Sequence, residues 1–195
     1  MTILNKNWFY ILFIFVFTSC NSDYSPKPRG YYRIDLPKKT YTKISTDCKY
    51  SFEMPSYAVL VDDSSSNAKE CWKNILYKGL NGRLHISYYP ISSEKMFYEL
   101  VEDSRRLVFK HTVKADGIDE SKLINKDKKV YGLYYTIGGN SASSIQFFLT
   151  DSNKHFLRAA LYFYSVPQAD SIAPVLNFVK EDINHMIETF EWVKE

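Results

Sequence analysis

Three strand patterns separated by short turns, between residues 130 and 164, constrain the fold of this chain most strongly. Val130–Ile137 is rich in Tyr, whereas Ser144–Thr150 and His155–Tyr164 place their larger apolar side chains at alternate positions. Alternation with a period of two is typical of half-buried strands. Because turns this short join antiparallel neighbours, the sequence predicts a three-strand antiparallel meander.

Two other segments repeat apolar residues at intervals of three and four, which is typical of amphipathic helices. The first runs from Glu94 to about Lys110, after serines that can cap its start. The second begins at Asp170 or Ser171 and carries Pro174 in its first turn, where a missing N–H costs least. The sequence therefore predicts two helices, one before the meander and one after it.

Shorter strand patterns precede the first helix. Tyr50–Pro55 alternates, Tyr57–Val61 is a short apolar run, and Cys71–Tyr77 and Arg83–Tyr89 flank the turn at residues 79–82 as a hairpin would. Strands, a helix, a meander and a final helix predict an α+β fold, in which helices pack on an antiparallel β-sheet. This order of elements resembles the Mog1/PsbP-like α/β/α sandwiches.

The first nineteen residues have the pattern of a lipoprotein signal peptide. Lys6 is followed by the apolar run Trp8–Phe17, and Thr18-Ser19-Cys20 comes directly after it. A positive start, an apolar run of roughly 7–15 residues and small residues at a cleavage site are typical of secretory signals. The Cys at that site resembles a bacterial lipobox, with Phe17 in place of the usual Leu. We therefore expect Cys20 to be lipidated; the alternatives are an ordinary cleaved signal or an uncleaved anchor.

Residues 20–30 form the predicted tether between the lipid and the fold. They are polar and contain two prolines and a glycine, without an apolar period, so the sequence predicts an extended segment that does not pack. Residues 31–195 then form one predicted α+β domain. The residue directly after Cys20 is Asn21 and not Asp, and no run of acids follows, so we expect an outer-membrane lipoprotein of the cell envelope that faces the periplasm.

The remaining two cysteines predict a disulfide. With Cys20 assigned to the lipid, Cys48 and Cys71 form an even pair in an exported chain, where the compartment is oxidising. The alternative is two buried free thiols. The four His residues never pair at metal-ligand spacing, so we expect no metal site.

Composition and motifs indicate a chain without a catalytic centre. A net charge of +3 is too small to indicate a nucleic-acid surface and no basic block stands out, so we expect no nucleic-acid partner. Residues 139–143 lack the closing Gly of a nucleophile elbow, and no phosphate-binding glycine loop occurs. We therefore expect no enzyme activity, no cofactor and no small-molecule substrate. A hydrolase centred on His111 and Asp116 is the remaining catalytic alternative.

The chain contains 16 Tyr, and tyrosine is enriched at protein interfaces. We expect the meander to present an interaction face opposite its apolar row, formed by Tyr134, Arg158, Tyr162 and Tyr164. The alternative is that a second helix layer covers this face. The same residues would also suit an envelope module that binds peptidoglycan, glycan or lipid.

Several long blocks of the chain resemble the gliding motility lipoprotein GldD family. They extend over nearly the whole predicted mature chain and include YYRIDLPKKTYTKI at 31–44, CKYSFEMPSYA at 48–58, ECWKNILY at 70–77, FKHTVKADGI at 109–118, GGNSASSIQFFLTDS at 138–152 and the segment from His155 to Trp192. The resemblance implies a non-enzymatic component of the gliding machinery linked to type IX secretion. Its implied partners are the membrane, reached through the lipid, and other gliding or secretion lipoproteins. The blocks carry no catalytic motif.

Overall fold

A computed structural model describes residues 33–44 and 46–193 of the chain. The predicted signal peptide, the lipidated Cys20 and the tether up to residue 30 lie outside the described residues. From residue 35 onward the described chain packs as one compact unit.

The described chain contains eleven strands, two α-helices and two short 3₁₀ turns. The strands are β1 (Tyr41–Lys43), β2 (Tyr50–Ser51), β3 (Glu53–Pro55), β4 (Val59–Asp62), β5 (Lys73–Tyr77), β6 (Gly82–Pro90), β7 (Ile118–Asn125), β8 (Val130–Ile137), β9 (Ser143–Thr150), β10 (His155–Phe163) and β11 (Glu191–Trp192). The helices are α1 (Glu94–Phe109) and α2 (Ala169–Thr189), and the 3₁₀ turns cover Lys78–Leu80 and Lys110–Val113.

Seven strands form one antiparallel sheet in the order β4-β5-β6-β10-β9-β8-β7. The predicted meander strands β8, β9 and β10 are neighbours in this order, and β10 pairs with β6 of the β5–β6 hairpin. The two longest strands, β6 and β10, lie side by side near the centre of the sheet. Two small ribbons, β1 with β3 and β2 with β11, complete the sheet structure. Because β11 follows α2 and pairs with β2, it brings the end of the chain back to the segment before the sheet.

Helix α2 packs on one face of the sheet, which we call the α2 face. Val179, Ile183 and Met186 of the helix stripe are buried against the alternate row that includes Leu149 and Leu157. Tyr50, Phe52 and Phe190 extend this core as a stack of near-parallel rings. Burial of a large apolar side chain contributes about 1.5–3 kcal/mol, so this cluster is the main source of stability.

Helix α1 packs on the opposite face, the α1 face, over β9 and β10. Its buried Val108 forms a smaller cluster with Tyr135 and Ile137 of β8. The helix begins where predicted, because the Ser93 side chain accepts a hydrogen bond from the backbone N–H of Met96 at 3.2 Å. The α+β fold, an antiparallel sheet with helices packed on it, is therefore confirmed, and α1 and α2 cover opposite faces.

The structure contains two strands that the sequence patterns did not predict, β7 and β11, and divides one that they did. The meander has a fourth strand, β7, at the edge of the sheet. Most of its side chains are polar and exposed, so its sequence shows no clear apolar alternation. The predicted strand over residues 50–55 is divided at Phe52, because β2 pairs with β11 whereas β3 pairs with β1. Helix α2 also starts at Ala169, so Pro174 lies beyond its first turn.

Candidate interaction surface

The predicted surface lies on the α1 face, where β6 and β10 run side by side. Their antiparallel register places Arg83 opposite Tyr162, His85 opposite Ala160 and Ser87 opposite Arg158. Alternate side chains of both strands therefore project to the same side of the sheet. Helix α1 covers the β9 side of β10, and Arg83, His85, Arg158 and Tyr162 all remain partly exposed.

Direct contacts join these side chains. The guanidinium of Arg83 lies 5.0 Å from the ring centre of Tyr164, within cation–π range. The His85 ring meets the edge of Tyr162 with 5.6 Å between centres. We call Arg83, His85, Arg158, Tyr162 and Tyr164 the arginine patch. Its outermost member is Tyr164, which is 61% exposed.

The patch is electrostatically positive. Partial burial lowers the pKa of Arg158 below its usual value. Burial, and then the charge of Arg83, lowers the pKa of His85, while Arg158 lowers it further and Asp63 raises it. Burial, and then the charge of Arg158, also lowers the pKa of His111, which follows α1. At neutral pH these effects keep both imidazoles uncharged and leave the two arginines as the cations.

Three of the four residues predicted for the interaction face lie in this patch, but Tyr134 does not. Tyr134 is opposite Phe147, which is opposite Ala159, so its side chain lies on the α2 face. There it is buried in the main core and stacks on Phe147 with 6.2 Å between ring centres. The prediction was wrong for Tyr134 because the face depends on the registers of β8 with β9 and of β9 with β10, which the sequence does not show.

Sequence reasoning missed Arg83 as a member of the patch and Gln146 as the partner of Arg158. Arg158 donates a hydrogen bond to Oε1 of Gln146 at 2.6 Å, and Gln146 is only 1% exposed. The available signal was a polar residue in the apolar middle of the strand Ser143–Thr150. Its significance depended on the register that places Gln146 beside Ala160.

A second polar centre, on the α2 face, was not predicted at all. Asp182 of α2 is fully buried and accepts hydrogen bonds from the hydroxyls of Tyr41, at 2.9 Å, and Tyr57. The ammonium of Lys39 lies 3.2 Å from the same carboxylate and also pairs with Glu181 at 2.8 Å. We call Lys39, Tyr41, Tyr57 and Asp182 the latch, because they fasten the segment before the sheet to α2.

The latch changes the titration of its phenols. Burial, and then the hydrogen bond to Asp182, raises the pKa of Tyr41 to about 12. The same two causes raise the pKa of Tyr57, and burial raises that of the neighbouring Tyr77. The Asp182 carboxylate is fully buried and already has three donors from its own chain, so the latch is a structural centre.

A cavity of about 810 Å³ opens between the start of β10 and β11. Trp192 forms one wall and stacks on His155, with 5.2 Å between ring centres. The lining includes Lys128 and Lys129, and Lys128 is held by Glu191 at 3.5 Å. The indole N–H of Trp192 is buried and has no hydrogen-bond partner in the described part of the chain. An aromatic wall beside cations is suited to a sugar or another polar ring.

The two remaining cysteines are adjacent in the structure. Cys48 and Cys71 are paired, with their Cα atoms 5.6 Å apart. Cys48 is buried in the main core, and the backbone carbonyl of Cys71 accepts a hydrogen bond from the Tyr50 hydroxyl at 2.8 Å. The pairing therefore joins the segment before β2 to the start of β5.

The structure does not assemble the alternative catalytic pair. His111 is partly exposed beside Arg158, and Asp116 is exposed and packs against the turn at Gly139. No hydrogen bond links His111 to Asp116 in the described residues. Within residues 33–44 and 46–193, no group of three or more His, Cys, Asp or Glu side chains could hold a metal ion.

Neither α1 nor α2 is long and apolar enough to cross a membrane, and no other described helix is.

These features define a compact α+β domain, and its described residues assemble neither the His111–Asp116 pair nor a metal cluster. The family model for the gliding motility lipoprotein GldD matches residues 21–192, so this chain belongs to that family. No curated protein matches the chain. Among solved structures, cyanobacterial PsbP from Synechocystis is 15% identical, with a TM-score of 0.49, and the match covers 80% of this chain and 95% of that one.

Proposed function

We propose that this protein is a lipid-anchored, non-catalytic component of the cell envelope that helps to assemble or stabilise the gliding machinery linked to type IX secretion. Family membership supports the gliding role, and the lipobox at Cys20 supports anchoring. The proposal further places the anchor in the outer membrane, facing the periplasm, with other gliding or secretion lipoproteins as partners.

The observation that carries a contact role is the arginine patch. It combines Arg and Tyr side chains on a rigid sheet, and both residue types are enriched where binding energy concentrates at protein interfaces. Tyr164 projects beyond the last paired residue of β10, and Arg83 holds its ring. A partner would therefore meet an ordered aromatic side chain that loses little conformational freedom on binding.

Site-specific crosslinking in gliding cells tests this role. A photo-crosslinking amino acid at position 164 should recover gliding or secretion components, and the same group at Asn153 serves as a matched control. Asn153 is an exposed residue in the turn before β10, so it lies at the other end of that strand. Equal recovery from both positions, or recovery of none, would contradict contact through the patch.

Anchoring requires a separate test. Cys20→Ser should yield a soluble or unprocessed species, because acyl chains contribute about 0.8 kcal/mol for each buried CH₂ and the variant cannot receive them. Membrane fractionation with mass spectrometry of the mature N-terminus measures this. A processed form that remains in the membrane without lipid would contradict the lipid anchor.

The cavity at Trp192 favours a second candidate function, an envelope module that binds peptidoglycan or another glycan. Sugars pack on indole faces, and this cavity places an aromatic wall beside lysines. Trp192→Ala should then abolish co-sedimentation with purified sacculi, whereas Tyr164→Ala should not change it. If neither variant nor the unaltered protein sediments with sacculi, this candidate function fails.

A further inference from the structure

The hydrogen-bond donors around Arg158 exceed the acceptors. In the described residues, the guanidinium of Arg158 donates only to a neutral amide, at Oε1 of Gln146, and no carboxylate lies within ion-pair distance. The other side-chain atom of that amide, Nε2 of Gln146, is buried and donates to nothing in the described residues. Nε of Arg83 is also buried without an acceptor there.

Such an arrangement is unusual because buried cations are normally paired and buried donors are normally satisfied. The carboxylate that faces this group is Asp63, which acts on His85, and its Oδ1 already accepts the backbone N–H of Ser65 at 2.8 Å. On α1, Asp103 is paired with Arg106 at 2.7 Å. Neither acid is a counter-ion for Arg158, so the group lacks a negative partner among residues 33–44 and 46–193.

The register places Arg158 and Tyr162 on the face of β10 that also carries His85 of β6. Ala160, which lies between Arg158 and Tyr162 on β10, and its neighbour Gln146 on β9 are only 2% and 1% exposed. The accessible part of the group is therefore the partly exposed side chain of Arg158, beside the rings of Tyr162 and His85.

We propose that the partly exposed side chain of Arg158, within the arginine patch, binds a carboxylate carried by an acidic segment of a protein partner. A carboxylate supplies the missing charge and can accept two parallel hydrogen bonds from one guanidinium. The neighbouring exposed Tyr164 and the partly exposed Tyr162 add the apolar contact that a protein segment offers. The inference rests on the proposed contact role of the arginine patch and specifies the chemistry of the partner.

Binding of a labelled oligoglutamate peptide to the full-length chain in detergent, followed by fluorescence anisotropy, tests the inference. Arg158→Gln should weaken binding by roughly tenfold or more, the usual cost of removing one member of a hydrogen-bonded charge pair. Arg158→Lys should recover only part of the loss, because an ammonium cannot form the bidentate contact. The matched control is Arg106→Gln on α1, an equal change of charge at a side chain that is 70% exposed.

Four outcomes would overturn the inference. Two concern the variants: peptide binding that is equally weakened in Arg158→Gln and Arg106→Gln, or that is not weakened in Arg158→Gln. The other two concern the ligand: oligoglutamine that binds as tightly as oligoglutamate, or anionic lipid vesicles that bind in place of the peptide. If Arg158→Gln does not fold, NMR signals of His85 and His111 in the unaltered chain replace it. The peptide should shift both signals, and unshifted signals at saturating peptide would also overturn the inference.

The proposed function and this inference can fail separately. Crosslinks from position 164 that recover gliding components, together with peptide binding that does not depend on Arg158, would retain the contact role and reject the carboxylate. Arg158-dependent peptide binding without any crosslinked gliding component would retain Arg158 as a carboxylate site and reject the proposed partners.

Discussion

The two faces of the central sheet treat their charged side chains in opposite ways. On the α2 face, Asp182 is fully buried, and Tyr41, Tyr57 and Lys39 supply its donors from the same chain. On the α1 face, Arg158 is partly exposed, and a neutral amide is its only partner in the described residues. Asp182 therefore has its partners within the chain, whereas Arg158 has no acidic partner in the described residues. Stability is therefore concentrated on the α2 face, and contact chemistry on the α1 face.

Replacing the latch carboxylate should produce the largest effect. Asp182→Ala leaves buried tyrosine hydroxyls and the Lys39 ammonium without their acceptor, and breaking a buried pair in this way costs about 3–5 kcal/mol. The free energy of unfolding, measured with urea, should fall by that amount. The control is Glu181→Ala, which removes the 70% exposed partner of Lys39 and should cost no more than about 1 kcal/mol. Equal losses in both variants would contradict the latch as a stability centre.

The cysteine pair should have the next largest effect, again through the α2 face. Replacing Cys48 and Cys71 together by Ser should lower the free energy of unfolding by about 3 kcal/mol, because a loop of this size is no longer closed in the unfolded chain. Thiol labelling of the unaltered, denatured, non-reduced protein should find both cysteines blocked. Labelled cysteines would show that the pair is reduced.

Alkaline pH should weaken the α2 face. Burial raises the pKa of Tyr77 and Tyr134, and burial with the Asp182 hydrogen bond raises that of Tyr41 to about 12. Because the pKa of these phenols is higher in the folded state, their contribution to the free energy of unfolding is complete below about pH 10, the pKa of an unfolded tyrosine. That contribution falls as pH rises above this value. Melting temperature should decline from about pH 10. A flat profile to pH 11.5 would contradict buried phenols.

Tyr134→Phe provides the matched control for that profile. The Tyr134 hydroxyl is buried and has no partner in the described residues, so removing it should cost nothing at neutral pH. It also removes one phenol whose pKa is raised by burial, so the decline of the melting temperature above about pH 10 should become less steep. An unchanged slope would show that Tyr134 does not titrate on unfolding.

Mild acid should weaken the α1 face, by the smallest amount. The pKa values of His85 and His111 are lowered by burial and by Arg83 and Arg158, while Asp63 partly opposes the shift at His85. Because the pKa of both imidazoles is lower in the folded state, their contribution to the free energy of unfolding is complete above about pH 6.5, the pKa of an unfolded histidine. That contribution is lost as pH falls below this value. Melting temperature should therefore decline slightly between about pH 6.5 and 5, and less so when both His residues are replaced by Gln.

Local sequence patterns were sufficient for the elements but not for their partners. The bounds of β8 were predicted as observed, α1 ended one residue early, and α2 began one or two residues before the prediction. These elements follow from apolar spacing, caps and turns, which lie within a few residues of one another. Strand β7 was missed because an edge strand with charges on both sides buries too little apolar surface to show a period.

The candidate sites depended on contacts between distant parts of the chain. Asp182 lies within the apolar stripe of α2, three residues after Val179 and four before Met186, which is a readable signal of a buried acid. Its donors, however, come from residues 39–57, and no local pattern connects them. Tyr134 was assigned to the wrong face for the same reason, since a face is shared only through strand register.

The position of the latch along the chain has a mechanical consequence. Lys39 and Tyr41 are among the first described residues after the predicted tether, and both are fastened to α2. Tension on the membrane anchor would therefore reach the phenol and ammonium contacts of Asp182 before it reached any strand of the seven-stranded sheet. The latch would take up tension from the anchor, so that the sheet that carries the arginine patch is not deformed.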